Sequence, residues 1–532
     1  MSPDLNPGHP SRLFSFAAAA ATALLLVLAM PGRIGWWPLL FIALTPLLSA
    51  VRRLPPMRSA CMGMFCGLLY NIGLLYWIVI VLGRYGGLPP WISVPGMTLL
   101  ALYMGSYFAL FCLLLNLVIN RSESGKGSTA RLVLAAPVLW VGLDFLRNFL
   151  FTGFPWMDLG YGLYRQPLLI QSADLGGHHL VSFCIVLLNS LLVWLTDRSP
   201  NQASSTVLTQ RIPAVIACIL LACVGGYSFL RYQQISFALE TGKQATVGVV
   251  QGNISQDEKW TEARKEDTVD RYLALSRNVL KKQDVELLVW PETALPFYPQ
   301  QDPLMGKVFD FVQDENVNLL TGAPYFALKT KKNAGQNPVI YFNSGLLINS
   351  SGKLVGRYDK QHLVPFGEYV PIRSYLPFLE PLVVSVGDFT AGSSYEPLQT
   401  GNIKVGVLIC FESIFPEISR REVEAGSNLL VNLTNDAWYG RSSAPYHSLA
   451  MSVFRAVETR RSLVRAANTG ISGFVEPTGT IRTQSQLFVP AAMTETMVLV
   501  SEQTIFTRGG HWFGALCLAM VLPLLLLHRR HR

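Results

Sequence analysis

Three residues of different chemical type stand directly after short apolar runs in the C-terminal half of the sequence. Glu292 follows Leu287-Leu288-Val289-Trp290-Pro291, Lys360 follows the run Leu354–Tyr358, and Cys410 ends Val405-Gly406-Val407-Leu408-Ile409. A carboxylate serves as a base, an ammonium as a fixed cation, and a thiol as a nucleophile once it loses its proton. Any one of them alone is the ordinary solvated end of a strand. Three together, of complementary types, are the parts of a nucleophilic site. The cysteine count adds weight to Cys410. Of eight cysteines, Cys61, Cys66, Cys112, Cys184, Cys218, Cys223 and Cys517 fall within strongly apolar stretches. Cys410 is alone in the polar region and has no disulfide partner there, so it is either buried and inert or kept for its chemistry. Phe411-Glu412-Ser413 follows it before a helical pattern begins. A sharp strand-to-helix turn exposes a residue at the C-terminal edge of a sheet, and a helix start favours a thiolate.

The surrounding pattern supplies such a sheet. Ala245–Val250, Glu286–Trp290, Asn318–Gly322, Val339–Asn349, Lys353–Tyr358, Ile403–Ile409, Leu429–Leu433, Leu463–Ala467, Gly473–Glu476 and Met497–Val500 read as strands. Asp257–Lys282, Leu304–Glu315, Pro416–Ala425 and Ala444–Thr459 read as helices. Ser350-Ser351-Gly352 marks a hairpin. Helices between apolar strands predict an α/β layered domain, and the hairpins predict a mixed sheet. No metal site is visible: His362 and His447 lack partners at ligand spacing. No phosphate-cradling glycine loop ends in Lys-Ser/Thr.

The rest of the chain belongs to a different solvent. Of 532 residues, 50% are hydrophobic and only 14% charged, with a mean hydropathy of +0.33. That excludes a disordered chain and argues against an all-soluble one. The net charge of +9 is unevenly spread. Residues 245–505 hold 24 Lys/Arg against 27 Asp/Glu, while the remainder holds 19 against 7. A basic excess beside apolar runs marks membrane-protein loops and not a nucleic-acid groove. Eight runs are candidate spans: 13–30, 34–51, 59–82, 91–119, 132–151, 180–196, 212–230 and 511–528. The first is read as an anchor and not a cleaved signal, because a second run follows at once. With the N-terminus inside and eight crossings, and leaving out the large polar region 245–505, 12 Lys/Arg fall on the cytoplasmic side and 7 on the other. Residues 245–505 are then expected outside the cytoplasm, tethered at both ends. Asp144 and Arg147, three apart in the fifth run, read either as a helix-surface ion pair near the interface or as a lipid-headgroup contact.

Trp290-Pro291-Glu292, Tyr358-Asp359-Lys360 and Ile409-Cys410-Phe411-Glu412 resemble the Glu–Lys–Cys motifs of the nitrilase superfamily. Gln251-Gly252-Asn253, the run His362-Leu363-Val364-Pro365-Phe366-Gly367-Glu368-Tyr369-Val370-Pro371, and Asn435-Asp436-Ala437-Trp438-Tyr439-Gly440 resemble the apolipoprotein N-acyltransferase family within it. The resemblance implies an α-helical membrane bundle of about eight spans plus an α/β layered nitrilase-like (αββα) domain. Its expected divisions are a transmembrane domain over 1–240, an extracytoplasmic catalytic domain over 241–508, and a last helix with a basic tail over 509–532. It implies phospholipid-dependent N-acylation of the α-amino group of the N-terminal S-diacylglyceryl-cysteine of apolipoproteins in the bacterial inner membrane, by a ping-pong mechanism, with both termini cytoplasmic. Cys410 would form a thioester, Glu292 would move the proton, and Lys360 would face the oxyanion. Glu368 and Glu412 are expected to support the triad, and Trp260, Phe411, Trp438 and Tyr439 to line the substrate path. Plain domain core or backbone hydrogen bonding is the alternative for these residues. No cofactor or metal is expected. The partners are a phospholipid donor, a diacylated apolipoprotein acceptor and the membrane, with no nucleic acid, and the chain is expected to act as a monomer. The competing readings are a membrane-tethered carbon–nitrogen hydrolase and a non-catalytic scaffold on the same fold.

Overall fold

The computed structural model describes residues 12–119, 128–151, 153–196, 207–256, 261–328, 339–365, 367–369 and 389–526. The chain divides into two compact units: Met1–Val79, Trp91–Tyr232 and Gly509–Arg532 form one, and Ile80–Pro90 with Gln233–Arg508 forms the other.

In the first unit, five helices are long and apolar enough to cross a membrane: Pro56–Leu75, Pro90–Ile119, Thr129–Arg147, Ala173–Thr196 and Arg211–Thr241. The remaining three candidate runs coincide with shorter apolar helices, Leu13–Ala29, Trp37–Val51 and Trp512–Leu526. The run expected over 34–51 is broken into a 3-10 turn, Trp37–Phe41, and a seven-residue helix, Thr45–Val51. Pro38 and Pro46 sit at the starts of these pieces, where a missing N–H costs nothing, and each interrupts the continuous ladder a span needs. Small residues let two of the helices touch. A Cβ on Gly63 would lie 2.5 Å from the Phe108 carbonyl oxygen, and one on Gly67 would lie 2.8 Å from the Gly105 Cα. This is the Gly-x-x-x-Gly contact by which helices associate where no hydrophobic effect drives them together.

The second unit is built from two six-stranded sheets. The strands are β1 (Gln244–Gln251), β2 (Leu287–Val289), β3 (Asn318–Leu328), β4 (Val339–Ile348), β5 (Leu354–Asp359), β6 (Leu398–Thr400), β7 (Ile403–Ile409), β8 (Leu429–Thr434), β9 (Ser462–Ala467), β10 (Gly473–Val475), β11 (Ile481–Gln484) and β12 (Ala491–Val498). One sheet has the order β12-β1-β2-β3-β4-β5, the other β11-β10-β9-β8-β7-β6. Pairs β1–β2, β2–β3, β7–β8 and β8–β9 are parallel, and the hairpin-linked pairs are antiparallel. Alternation of side chains explains the layering. Leu287 and Val289 of β2 face the core between the sheets with Val407, Leu429 and Val431. Leu288 points the other way, toward Val269 and Tyr272 of helix α1 (Glu262–Leu280) and Val308 and Phe311 of helix α2 (Met305–Asp314). Helices α3 (Pro416–Glu424) and α4 (Ala444–Thr459) lie against β7 and β9 of the second sheet. The result is the expected αββα sandwich. The last strand is corrected: it runs over Ala491–Val498 and not over Met497–Val500. Its alternation is masked because most of its residues are only half-buried. Strands β6 and β11, three and four residues long, were not expected.

Candidate active site

Parallel strand direction brings the chemistry to one edge of each sheet. Glu292 lies three residues past the end of β2, Lys360 directly after β5, and Cys410 directly after β7. Strands β2, β3 and β5 run the same way, because β2 and β3 are parallel and β4 lies antiparallel between β3 and β5.

Lys360 is 1% exposed and Glu292 7%. The Lys360 Nζ donates to Glu368 Oε1 at 2.9 Å and stands 3.9 Å from Glu292 Oε1. Both carboxylates also accept from one amide. The Asn343 Nδ2 donates to Glu292 Oε1 at 2.8 Å and to Glu368 Oε1 at 3.0 Å. Asn343 is held in place by the sheet itself, since its carbonyl accepts from the Lys360 N–H at 2.9 Å. Glu368 Oε2 accepts from the Val364 N–H, closing the loop that carries it. Sequence reasoning missed Asn343, whose partners Glu292 and Glu368 are 51 and 25 positions away.

Cys410 has a φ of +53°, a left-handed conformation that a side chain rarely adopts. Such strain persists where the surroundings over-determine it, as at an exposed nucleophile turn. Glu412 supplies the determination. Its fully buried carboxylate accepts from the N–H of Ile409 at 2.6 Å, of Gln361 at 2.6 Å and of His362 at 3.1 Å, and from the Tyr358 hydroxyl at 3.0 Å. One side chain therefore ties the cysteine turn to the lysine turn. Burial raises this carboxyl to about 7, with the Ile409 N–H and the Lys360 charge acting in the other direction. Burial likewise lowers His362 to about 4, helped by Lys360, so its ring is neutral at pH 7.

The cysteine is not a resting thiolate. Burial pushes the Cys410 thiol up, Glu292 adds to this, and Lys360 opposes it. The expected favour from a helix start is absent because Cys410–Ile414 is a single 3-10 turn, and the helix proper begins at Pro416. A protonated thiol beside a carboxylate needs that carboxylate as its base.

The aromatic candidates divide. Phe411 is 9% exposed and packs edge-on against Phe415 at 5.2 Å, near His362. Trp438 packs against Tyr85 at 5.3 Å, and burial raises the Tyr439 hydroxyl well above its ordinary value, with the nearby Cys410 adding to this. Trp260 lies outside the described residues. The turn Asp436–Tyr439 is set by a buried guanidinium. Arg465 donates to both oxygens of Asp436, to Ser448 and Ser452, and to the Ile471 carbonyl, with the Asn432 side-chain oxygen also accepting.

Two family models match the chain: an apolipoprotein N-acyltransferase N-terminal domain over residues 22–191, and a carbon–nitrogen hydrolase domain over residues 246–496. A relative in Geobacter metallireducens named apolipoprotein N-acyltransferase is 39% identical, covering 95% of this chain and 93% of its own. The chain belongs to the apolipoprotein N-acyltransferase family. A second relative of that name, in Pseudomonas putida, is 32% identical over 99% of this chain and 98% of its own. A third, in Methylococcus capsulatus, is 32% identical over 86% of this chain. As a member of this acyltransferase family the chain is an enzyme, and its apolar helices are those of a membrane protein. The carbon–nitrogen hydrolase match spans the two-sheet unit that carries Glu292, Lys360 and Cys410.

Proposed function

We propose that this enzyme N-acylates the α-amino group of the N-terminal S-diacylglyceryl-cysteine of apolipoproteins, taking the acyl chain from a phospholipid through a thioester on Cys410. The observation that carries the reading is a half-buried Cys410 thiol, held in its protonated form, within electrostatic reach of Glu292 and Lys360, which stand 3.9 Å apart. Glu292 takes the thiol proton as Sγ attacks the ester carbonyl. The C–O bond breaks, and Glu292 returns the proton to the departing lysophospholipid oxygen. In the second half the acceptor amine attacks the thioester and gives its proton to Glu292. The C–N bond forms, the C–S bond breaks, and the thiol is restored. Lys360 faces the oxyanion in both halves, a role worth roughly 10²–10³ in rate. A thioester suits this sequence because it is reactive enough to acylate an amine.

Glu368 and Asn343 hold Lys360 and Glu292 in register, and Glu412 holds the two turns. Trp438, Tyr439, Phe411 and Trp260 are assigned to the substrate path. The catalytic domain, 241–508, is assigned to the periplasmic side of a bacterial inner membrane, both termini to the cytoplasm, and the active unit to a monomer. The distribution of Lys and Arg supports that placement when all eight apolar runs are counted as crossings.

The carbon–nitrogen hydrolase match keeps water as a competing second acceptor. The deciding experiment incubates the purified chain in detergent with a phospholipid labelled in its sn-1 acyl chain, and reads label on Cys410 by mass spectrometry. A hydroxylamine-sensitive adduct, absent in Cys410→Ser and passed to a diacylated lipopeptide amine, is the expected result. An adduct lost only to water assigns a hydrolase, and no adduct from folded protein overturns the catalytic reading.

A further inference from the structure

The helical unit contains a second buried polar cluster that the acyl-transfer chemistry does not use. Asp158 directly precedes a short 3-10 turn, Leu159–Leu163, and its side chain makes no cap hydrogen bond there. His178 and His179 follow a break in the helix at Gly176 and Gly177, where Gly177 has a φ of +68°. The side chains of Asp158, His178 and His179 are all 0% exposed. His178 Nε2 stands 2.9 Å from Asp158 Oδ2, and His179 Nε2 stands 3.9 Å from the same oxygen. The three ligand atoms lie within 4.8 Å of one another. The sequence reading found no metal-ligand spacing because Asp158 and the histidine pair are far apart in the chain.

Charge and spacing together narrow what the cluster holds. Arg147 donates to Asp158 Oδ1 and stands 3.4 Å from Asp144 Oδ1. Both Asp144 and Arg147 are buried, at 7% and 6% exposed, so the pair is neither a helix-surface pair nor a headgroup contact. Two carboxylates against one guanidinium leave one negative charge in an apolar setting, where an uncompensated charge is costly. A proton on the cluster or a bound cation balances it. The 3.9 Å gap between His179 and Asp158 is too long for a hydrogen bond. Ligands on a tetrahedral zinc, with arms of about 2.0–2.2 Å, stand roughly 3.4 Å apart, between the two observed separations. The His179 Nδ1 is buried and makes no hydrogen bond, and the ring's Nε2 meets Asn148 Nδ2 only at a long 3.4 Å, a contact that a small turn toward a cation would replace. His511 lies close by, its ring centroid 5.6 Å from that of His179 and 6.5 Å from that of His178.

We propose that Asp158, His178 and His179 form a structural site for a divalent transition-metal ion of the zinc class. The ion takes the place of the proton shared between His178 Nε2 and Asp158. Both imidazoles are then neutral ligands, and Arg147 remains on the outer carboxylate oxygen to orient it. His511 is placed to supply a fourth ligand after a side-chain rotation. Bound there, the ion ties the turn at 158 to the helix that starts at His178.

The test uses the full chain in detergent, purified with a tag that contains no histidine. After zinc loading and desalting, metal is measured by inductively coupled plasma mass spectrometry. The expected result is about one zinc per chain, falling to background in His178→Ala/His179→Ala with the Cys410 acyl adduct still forming. Cobalt-loaded wild type is expected to show the intense visible bands of a tetrahedral ion. This second reading stands even if the double variant fails to fold, and His179→Gln gives a milder variant. Zinc well below one equivalent in the wild type, or full retention in the folded double variant, overturns the site. Either result leaves a shared proton as the balancing charge.

Discussion

A carboxylate that accepts from an amide and has an ammonium beside it is oriented more tightly than one facing water. Glu292 Oε1 meets Asn343 Nδ2 at 2.8 Å with Lys360 Nζ 3.9 Å away, so its approach to the Cys410 thiol is set before any lipid arrives. A hydrogen bond to a charged group is worth about 1.5–3 kcal/mol. Asn343→Ala is therefore expected to slow acylation of Cys410 by roughly 10–100-fold with little change in KM for the lipid, as measured by the rate of label transfer. Asn343→Asp keeps the shape but adds a third carboxylate beside Glu292 and Glu368, and is expected to cost more than the alanine variant. Equal activity in wild type and both variants would remove Asn343 from the site. Glu292, Lys360 and Cys410 were legible as candidates before the structure, because type and strand-end position suggest them and the resemblance of their motifs assigns them roles. Asn343 acts only through neighbours 51 and 25 positions away, and no local pattern carries that.

At the scale of elements, the site depends on turns pinned by buried polar groups. Gly470 is one such dependence: a Cβ there would lie 2.0 Å from Asp436 Oδ2, the oxygen that accepts from Arg465 at 2.9 Å. Gly470→Ala must move either the backbone or the carboxylate, and leaving Arg465 unpaired in the interior costs about 3–5 kcal/mol. A clear fall in melting temperature and a loss of acylation are expected together, since the same carboxylate sets the turn bearing Trp438 and Tyr439. Glu412 gives a pH dependence of definite sign. Its carboxyl is raised from 4.5 to about 7 in the fold, so the folded state holds the proton more tightly than the unfolded chain. This contribution to stability is complete below about pH 4.5 and is lost as pH rises through 7, amounting to roughly 3 kcal/mol. The difference in melting temperature between wild type and Glu412→Gln is expected to shift in favour of the variant between pH 5 and pH 8. A pH-independent difference would mean that Glu412 titrates near its ordinary value.

For the molecule as a whole, charge and hydropathy divide the chain, but they do not count its crossings. Five helices are long enough to span, and Trp512–Leu526 is a 15-residue helix, about 22 Å by its rise against a hydrocarbon core of about 30 Å. If only the five long helices cross, the sheet unit and the C-terminus share a side. If all eight apolar runs cross, they lie on opposite sides. Reporter fusions after residue 300 and at the C-terminus are expected to report opposite compartments, and the same compartment for both would reduce the count.

The sequence by itself determined the layered α/β class, most strands to within a residue or two, and the three residues of the candidate site. These follow from side-chain period, from the composition of apolar runs, and from chemistry at strand ends together with the resemblance of the short motifs there, all of which are local. Strand β12 escaped because its residues are half-exposed and show no clean alternation. The protonated state of Cys410 and the shared amide of Asn343 were decided by the tertiary structure alone. So were the staple made by Glu412 and the meeting of Asp158 with His178 and His179. Each depends on desolvation or on a contact between distant segments, and both arise only when the chain has closed on itself.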